Sequence, residues 1–175
     1  MRGAYDAGCM AAPPDQLRSA VRFPGDVLVA FDGDGRCSWV TPSIERVLAC
    51  DSTSVEAVAR LPAEHPLVEA RGVPAWVGIE LMAQAVSAFS ALELRARGEA
   101  PRIGLLLGTR RYAARCAYFP AGSPLRVRAA LTLRDDSGLG VFDCTIHAGE
   151  TLLAEARVKG QMPADIDAFL EALDG

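Results

Sequence analysis

Along residues 53–61, "TSVEAVARL", apolar and polar positions alternate, with Val55, Ala57 and Ala59 on one side. A period of two marks a half-buried strand. Further on the period changes. From Pro74 to Arg97 apolar residues fall almost all round a helical wheel, which predicts a helix enclosed on every side. Pro74 suits its first turn, where a missing N–H is not needed. Arg95, Arg97 and then Gly98 place cations on the negative dipole end and a glycine where the chain leaves the helix. Such a helix spans about 36 Å at roughly 1.5 Å per residue.

After the helix the period returns to two. "RIGLLLGTRRYAARCAYF" holds one or two strands. Leu125, Val127, Ala129, Leu131 and Leu133 share one face of the next, Phe142, Cys144 and Ile146 one face of another, and Leu152, Ala154, Ala156 and Val158 one face of the last. Tight turns at "DDSG" and "HAGE" make these three an antiparallel meander. Before the regular part, "AAPPDQ", "FPGD" and "DGDGR" crowd chain breakers around one short apolar run, "DVLVAF", an irregular stretch with one strand. "PADIDAFLEALDG" reads as a short amphipathic helix. The chain thus divides into an irregular segment 1–40, a regular domain 41–163 and a helical tail 164–175. One long apolar helix with a run of antiparallel strands has few compact solutions. The sheet curls around the helix, and a second face or a partner subunit covers what remains. That α+β arrangement is the hot-dog fold.

Composition narrows the function. A length of 175 residues fits one domain with a proper core. A net charge of −4 argues against nucleic acid as a partner. No apolar run approaches the roughly 18–20 residues of a membrane span, and "MRGAYDAGCMAAPPDQ" lacks the apolar segment of a secretory signal. Cys9, Cys37, Cys50, Cys116 and Cys144 are odd in number and scattered. That favours reduced thiols in a cytoplasmic protein over disulfides or a zinc site. "DGDG" at Asp32–Gly35 lacks the later ligands of a calcium loop and reads as a turn. No motif suggests a metal, nucleotide or flavin, so the chemistry is expected to need no cofactor.

The candidate chemistry lies in the helix. Glu80 and Gln84 stand one turn apart within its most apolar part, where burial favours the neutral acid and Gln84 can hold the carboxyl in one rotamer. Glu80 reads either as a proton-transfer acid or as a buried carboxyl satisfied by its neighbours. Backbone N–H groups of the first turn, around Ala75 to Val77, could polarise a substrate carbonyl. His65, in the loop "PAEHPLVEARG", is a possible base or an exposed loop residue. Trp76 reads as a tunnel wall or as a core or interface aromatic. His147 alternates away from Phe142 and Ile146 and reads as solvated.

"GVPAWVGIELMAQ" resembles the helix-start motif of the hot-dog 3-hydroxyacyl-(acyl carrier protein) dehydratases, roughly P-G-V-L-x-x-E-A-M-A-Q. Pro74, Glu80, Met82, Ala83 and Gln84 match it, and Ala75 replaces its glycine. With "GLLLGTRR" the wording is closer still to dehydratase-like proteins of aryl polyene gene clusters, over about Ile44 to Met162. The resemblance implies that Glu80 works with a histidine shortly before it, the two coming from opposite subunits of a dimer. His65 precedes Glu80 by fifteen positions, one more than the family spacing, and Pro66 and Leu67 follow it. "SIERVLACD" matches the tail of an upstream family segment whose histidine is absent here. Catalytic Glu80 and His65, and substrate contacts from Gln84, Pro74, Ala75 and Trp76, are therefore what the resemblance implies.

The implied partner is acyl carrier protein, whose acidic surface would meet a basic one. Between Arg95 and Arg128 eight arginines stand against a single acid, Glu99, and Arg110, Arg111 and Arg115 are the candidate contacts. The same arginines also fit the wet face of strands. Three functions follow: a homodimeric or heterodimeric dehydratase, a hot-dog thioesterase in which the carboxylate activates water, and a non-catalytic subunit supporting a second hot-dog protein.

Overall fold

The computed structural model describes residues 44–61, 63, 67–99, 102, 104–165 and 168–169, together with the backbone of 29–31 and 37–40. Two short strands, β1 (Val29–Phe31) and β2 (Cys37–Val40), pair antiparallel. Only β1 falls in the apolar run expected to form a strand, and "DGDG" lies outside the described residues.

The body is one six-stranded antiparallel sheet around one helix. Its strands are β3 (Ile44–Cys50), β4 (Ser54–Ala59), β6 (Leu105–Ala114), β8 (Leu125–Arg134), β9 (Leu139–Ala148) and β10 (Thr151–Gln161), in the order β3-β4-β8-β9-β10-β6. A small pair, β5 (Val73–Pro74) with β7 (Tyr118–Phe119), clamps the entry to the helix. A 3-10 turn, Ala75–Val77, leads into α1, Gly78–Ala96. Pro74 thus lies in a strand pair just outside the helix. The far end behaves as expected, with Gly98 at φ +73°, a left-handed conformation that glycine adopts without strain.

The meander β8-β9-β10 forms as the alternation predicts, with two departures caused by register. Leu125, Val127 and Ala129 are buried, but a shift between Leu131 and Leu133 turns Leu133 out to solvent. A second shift, between Leu152 and Ala154, brings Leu153 rather than Leu152 against the core. One extra residue in a strand reverses the facing of everything beyond it. β3 is a strand that alternation barely announces, because it is an edge with Ile44 alone fully buried.

The sheet curls over Leu81, Met82, Ala85, Ala88, Phe89 and Leu92 of α1. This helix, from Ala75 to Ala96, is long and apolar enough to cross a membrane, with mean hydropathy 1.4 over its best window. The expectation that no such stretch exists is therefore amended. Its apolar surface faces strands, and it is the core helix of the domain. The opposite edge of the sheet, β6, has no strand on its outer side among the described residues, and Leu106 and Leu107 are half exposed there. Of the expected helical tail, Ala168 and Phe169 are helical, and the Ala168 N–H donates to Asp165 Oδ1 at 3.0 Å.

Candidate active site

The sheet leaves one stripe of α1 uncovered. Glu80, Ala83, Ser87 and Ser90 are its half-buried residues, and their spacing of three and four keeps them on one face. A groove of about 830 Å³ runs along this stripe, walled by Leu105 of β6 and Val158 and Gly160 of β10. Glu80 lines it. Arg97, Arg102 and Arg134 lie among the residues that line it as well, and these cations are matched by carboxylates: Arg97 and Arg134 pair with Glu93, and Arg102 with Glu99.

Gln84 faces inward and is 2% exposed, an uncommon burial for an amide. Its Nε2 donates to Glu80 Oε1 at 2.8 Å. With Oε1 occupied as an acceptor, the proton of the neutral acid resides on Oε2. The other end of the amide, Oε1 of Gln84, is buried without a hydrogen-bond partner among the described residues.

Burial pushes the Glu80 carboxyl above its ordinary value of 4.5, and the Gln84 hydrogen bond pulls it partway back. This shift has a consequence for stability. Between pH 4.5 and the higher folded value, the folded chain holds a proton that the unfolded chain releases, so stability falls as pH rises through that window. Glu80→Gln removes the effect. Its melting temperature should exceed that of the unaltered chain at pH 8, and the difference should vanish near about pH 4. A difference independent of pH would show that Glu80 titrates normally.

The entry turn is held from two sides. The Ala75 N–H donates to the Ala117 carbonyl at 3.0 Å, and the Tyr112 hydroxyl of β6 donates to the Ala75 carbonyl. Ala75 therefore has no amide to offer a substrate, and the i→i+3 pattern of the 3-10 turn directs the Val77 N–H back to the Pro74 carbonyl, which leaves Trp76 as the turn's candidate donor. Pro74 and Ala75 are buried and do not line the groove. Trp76 also stays out of it and is 60% exposed. His65 lies outside the described residues. His147, half-buried on β9, takes no part in the groove.

The basic run breaks up in three dimensions. Arg115 pairs with Glu155 at 3.2 Å, and Arg126 approaches Glu56 and Glu150, each at 3.8 Å. Arg110 and Arg111, exposed on β6, have no carboxylate partner among the described residues. Tyr112, the residue that sequence reasoning missed, gave no signal because a tyrosine in a strand reads as core. Cys50, Cys116 and Cys144 are free thiols, and burial raises Cys144 to about 12 and Cys50 to about 11.

A family model described as ApeP-like, ApeP dehydratase, matches residues 43–171. Among solved structures, the dehydratase heterocomplex ApeI:P from Xenorhabdus doucetiae is similar at 26% identity and a TM-score of 0.69, over 75% of this chain and 89% of that one. Cj0977, a sigma28-regulated virulence protein from Campylobacter jejuni, matches at 11% identity and a TM-score of 0.53, over 71% of this chain and 80% of that one. The Escherichia coli PaaI protein of the phenylacetic acid degradation operon matches at 14% and 0.50, over 67% and 78%. The last two likenesses show the fold alone. A search of curated proteins found no match.

Proposed function

The chain belongs to the ApeP-like dehydratase family, and from that premise we propose that it removes water from 3-hydroxyacyl thioesters borne by acyl carrier protein, in aryl polyene or related fatty-acid and polyketide biosynthesis. The single observation that carries the site assignment is Glu80 on the groove wall, its carboxyl held by buried Gln84.

The reaction takes a proton from C2 and expels hydroxide from C3. His65 takes the C2 proton as general base, and the electron pair moves onto the thioester oxygen. The Trp76 amide at the helix start stabilises that oxygen. Glu80, whose protonated form burial favours, gives its Oε2 proton to the C3 hydroxyl, which leaves as water while the pair returns to form the C2–C3 double bond. Gln84 keeps that proton on the oxygen away from itself.

The hot-dog partner enters through the likeness to a dehydratase heterocomplex. The bare outer side of β6 is a surface on which a second hot-dog sheet, of this chain or another, can continue. The heterocomplex also supports a second reading, in which the other subunit carries the chemistry and this chain completes its groove. Purified chain, alone and co-purified with its partner, should be given a 3-hydroxyacyl carrier substrate and followed by mass spectrometry. Loss of one water from the acyl group supports the dehydratase. Thiol release without it indicates a thioesterase, and turnover in mixtures that survives loss of Glu80 assigns the chemistry to the partner.

Arg110 and Arg111 are proposed to meet the carrier protein. Replacing both by glutamate should raise KM for the carrier-bound substrate roughly tenfold at low salt, with little change for a carrier-free pantetheine thioester. Equal effects on both substrates would remove these arginines from carrier recognition, and gel filtration would report any loss of assembly.

A further inference from the structure

Resting on the dehydratase reading, we infer that Tyr112 is a positioning residue, whose hydroxyl fixes the turn that presents the Trp76 amide to the thioester oxygen. Three observations meet at this point. The Ala75 peptide groups are gripped on both sides, N–H by the Ala117 carbonyl at 3.0 Å and C=O by the Tyr112 hydroxyl. The same Ala75 carbonyl accepts the Gly78 N–H that closes the 3-10 turn. And Gly78 is where the space for the tyrosine comes from: a Cβ there would stand 2.5 Å from the Tyr112 hydroxyl, 3.0 Å from Ile146 Cδ1 and 3.1 Å from Phe119 Cε2.

The arrangement suits positioning better than acid–base work. The hydroxyl is already committed to a backbone carbonyl, and burial raises it to about 12, so it remains a donor wherever the protein works. Tyr112 is not among the residues that line the groove. Its effect must pass through the turn. Two residues beyond Gly78 lies Glu80, so the turn also sets where the acid stands relative to the Trp76 amide. A donor that must meet an oxygen to within a few tenths of an ångström gains from a turn that cannot rock.

Tyr112→Phe keeps the ring against the core and deletes only the hydroxyl. Full-length chain, in the assembly in which it purifies, should be compared with Tyr112→Phe on a 3-hydroxyacyl carrier substrate across pH, with hydrogen exchange followed over residues 73–79. We expect kcat to fall about tenfold, less than the roughly 100–1,000-fold that follows loss of an oxyanion donor itself. KM should stay within about twofold and the pH profile should keep its midpoints, because the Tyr112 hydroxyl bonds the Ala75 carbonyl and leaves the Glu80–Gln84 hydrogen bond in place. Exchange at Trp76 and Val77 should quicken. A variant with unchanged kcat and unchanged exchange overturns the inference while wild-type turnover upholds the dehydratase. Loss of cooperative melting, or a fall in kcat matched by the fraction of folded protein, makes Tyr112 merely structural and also overturns it. An unaltered chain without turnover overturns the dehydratase reading itself, and with it the purpose assigned to the clamp.

Discussion

Glu80→Gln should lower dehydration by about 100–10,000-fold, the usual contribution of a positioned general acid. The glutamine keeps the shape of the side chain and a hydrogen bond to Gln84, so the groove stays formed and only the transferable proton is lost. The effect should appear in kcat with little change in KM, since the acid acts on the C3 hydroxyl only as the bond breaks. Glu80→Asp retains the proton but draws it back by one methylene, and should recover part of the rate. Mass spectrometry of the acyl carrier product measures both. Activity of Glu80→Gln within threefold of the unaltered assembly would leave Glu80 as a buried carboxyl satisfied by Gln84, and would favour the partner subunit as the seat of chemistry.

The largest loss of stability should come from Phe89→Ala. Phe89 is fully buried at the centre of α1, its ring edge-on to Phe142 of β9 with centroids 5.6 Å apart. The substitution removes the ring and leaves a cavity that the surrounding sheet closes only in part, which destabilises by about 3–5 kcal/mol. Chemical denaturation followed by circular dichroism gives the value. Leu133→Ala is the control, because Leu133 is 51% exposed past its register shift, and it should change stability by less than about 0.5 kcal/mol. Similar values for the two would mean that the helix is not enclosed as described.

Much of this architecture was legible in the chain. The all-round apolar helix could be buried only by a sheet that wraps it, and alternation in 125–133, 139–148 and 151–161 named the strands. Two facing errors, at Leu133 and Leu152, have one origin: a bulge inserts a residue without leaving a mark in the apolar pattern. Glu80 and Gln84 were legible as a pair because four residues is one helical turn, and the 2.8 Å hydrogen bond answers that reading. The arginine-rich run misled in part. Neutralising Glu155 and Glu56 lie far from it in sequence and are brought to it only by folding. Ala75 could not be judged either, since what occupies its amide is a carbonyl more than forty residues away. Tyr112 was invisible for the same reason.

On the outer side of β6, the N–H and C=O groups that do not pair with β10 have no strand beside them among the described residues, and Leu106 and Leu107 are exposed. A bare row of this kind accepts any extended segment, copies of itself included. Chain in surplus over whatever covers this edge is therefore expected to aggregate. The supply of that cover, as well as its affinity, would then set how much usable material a cell retains.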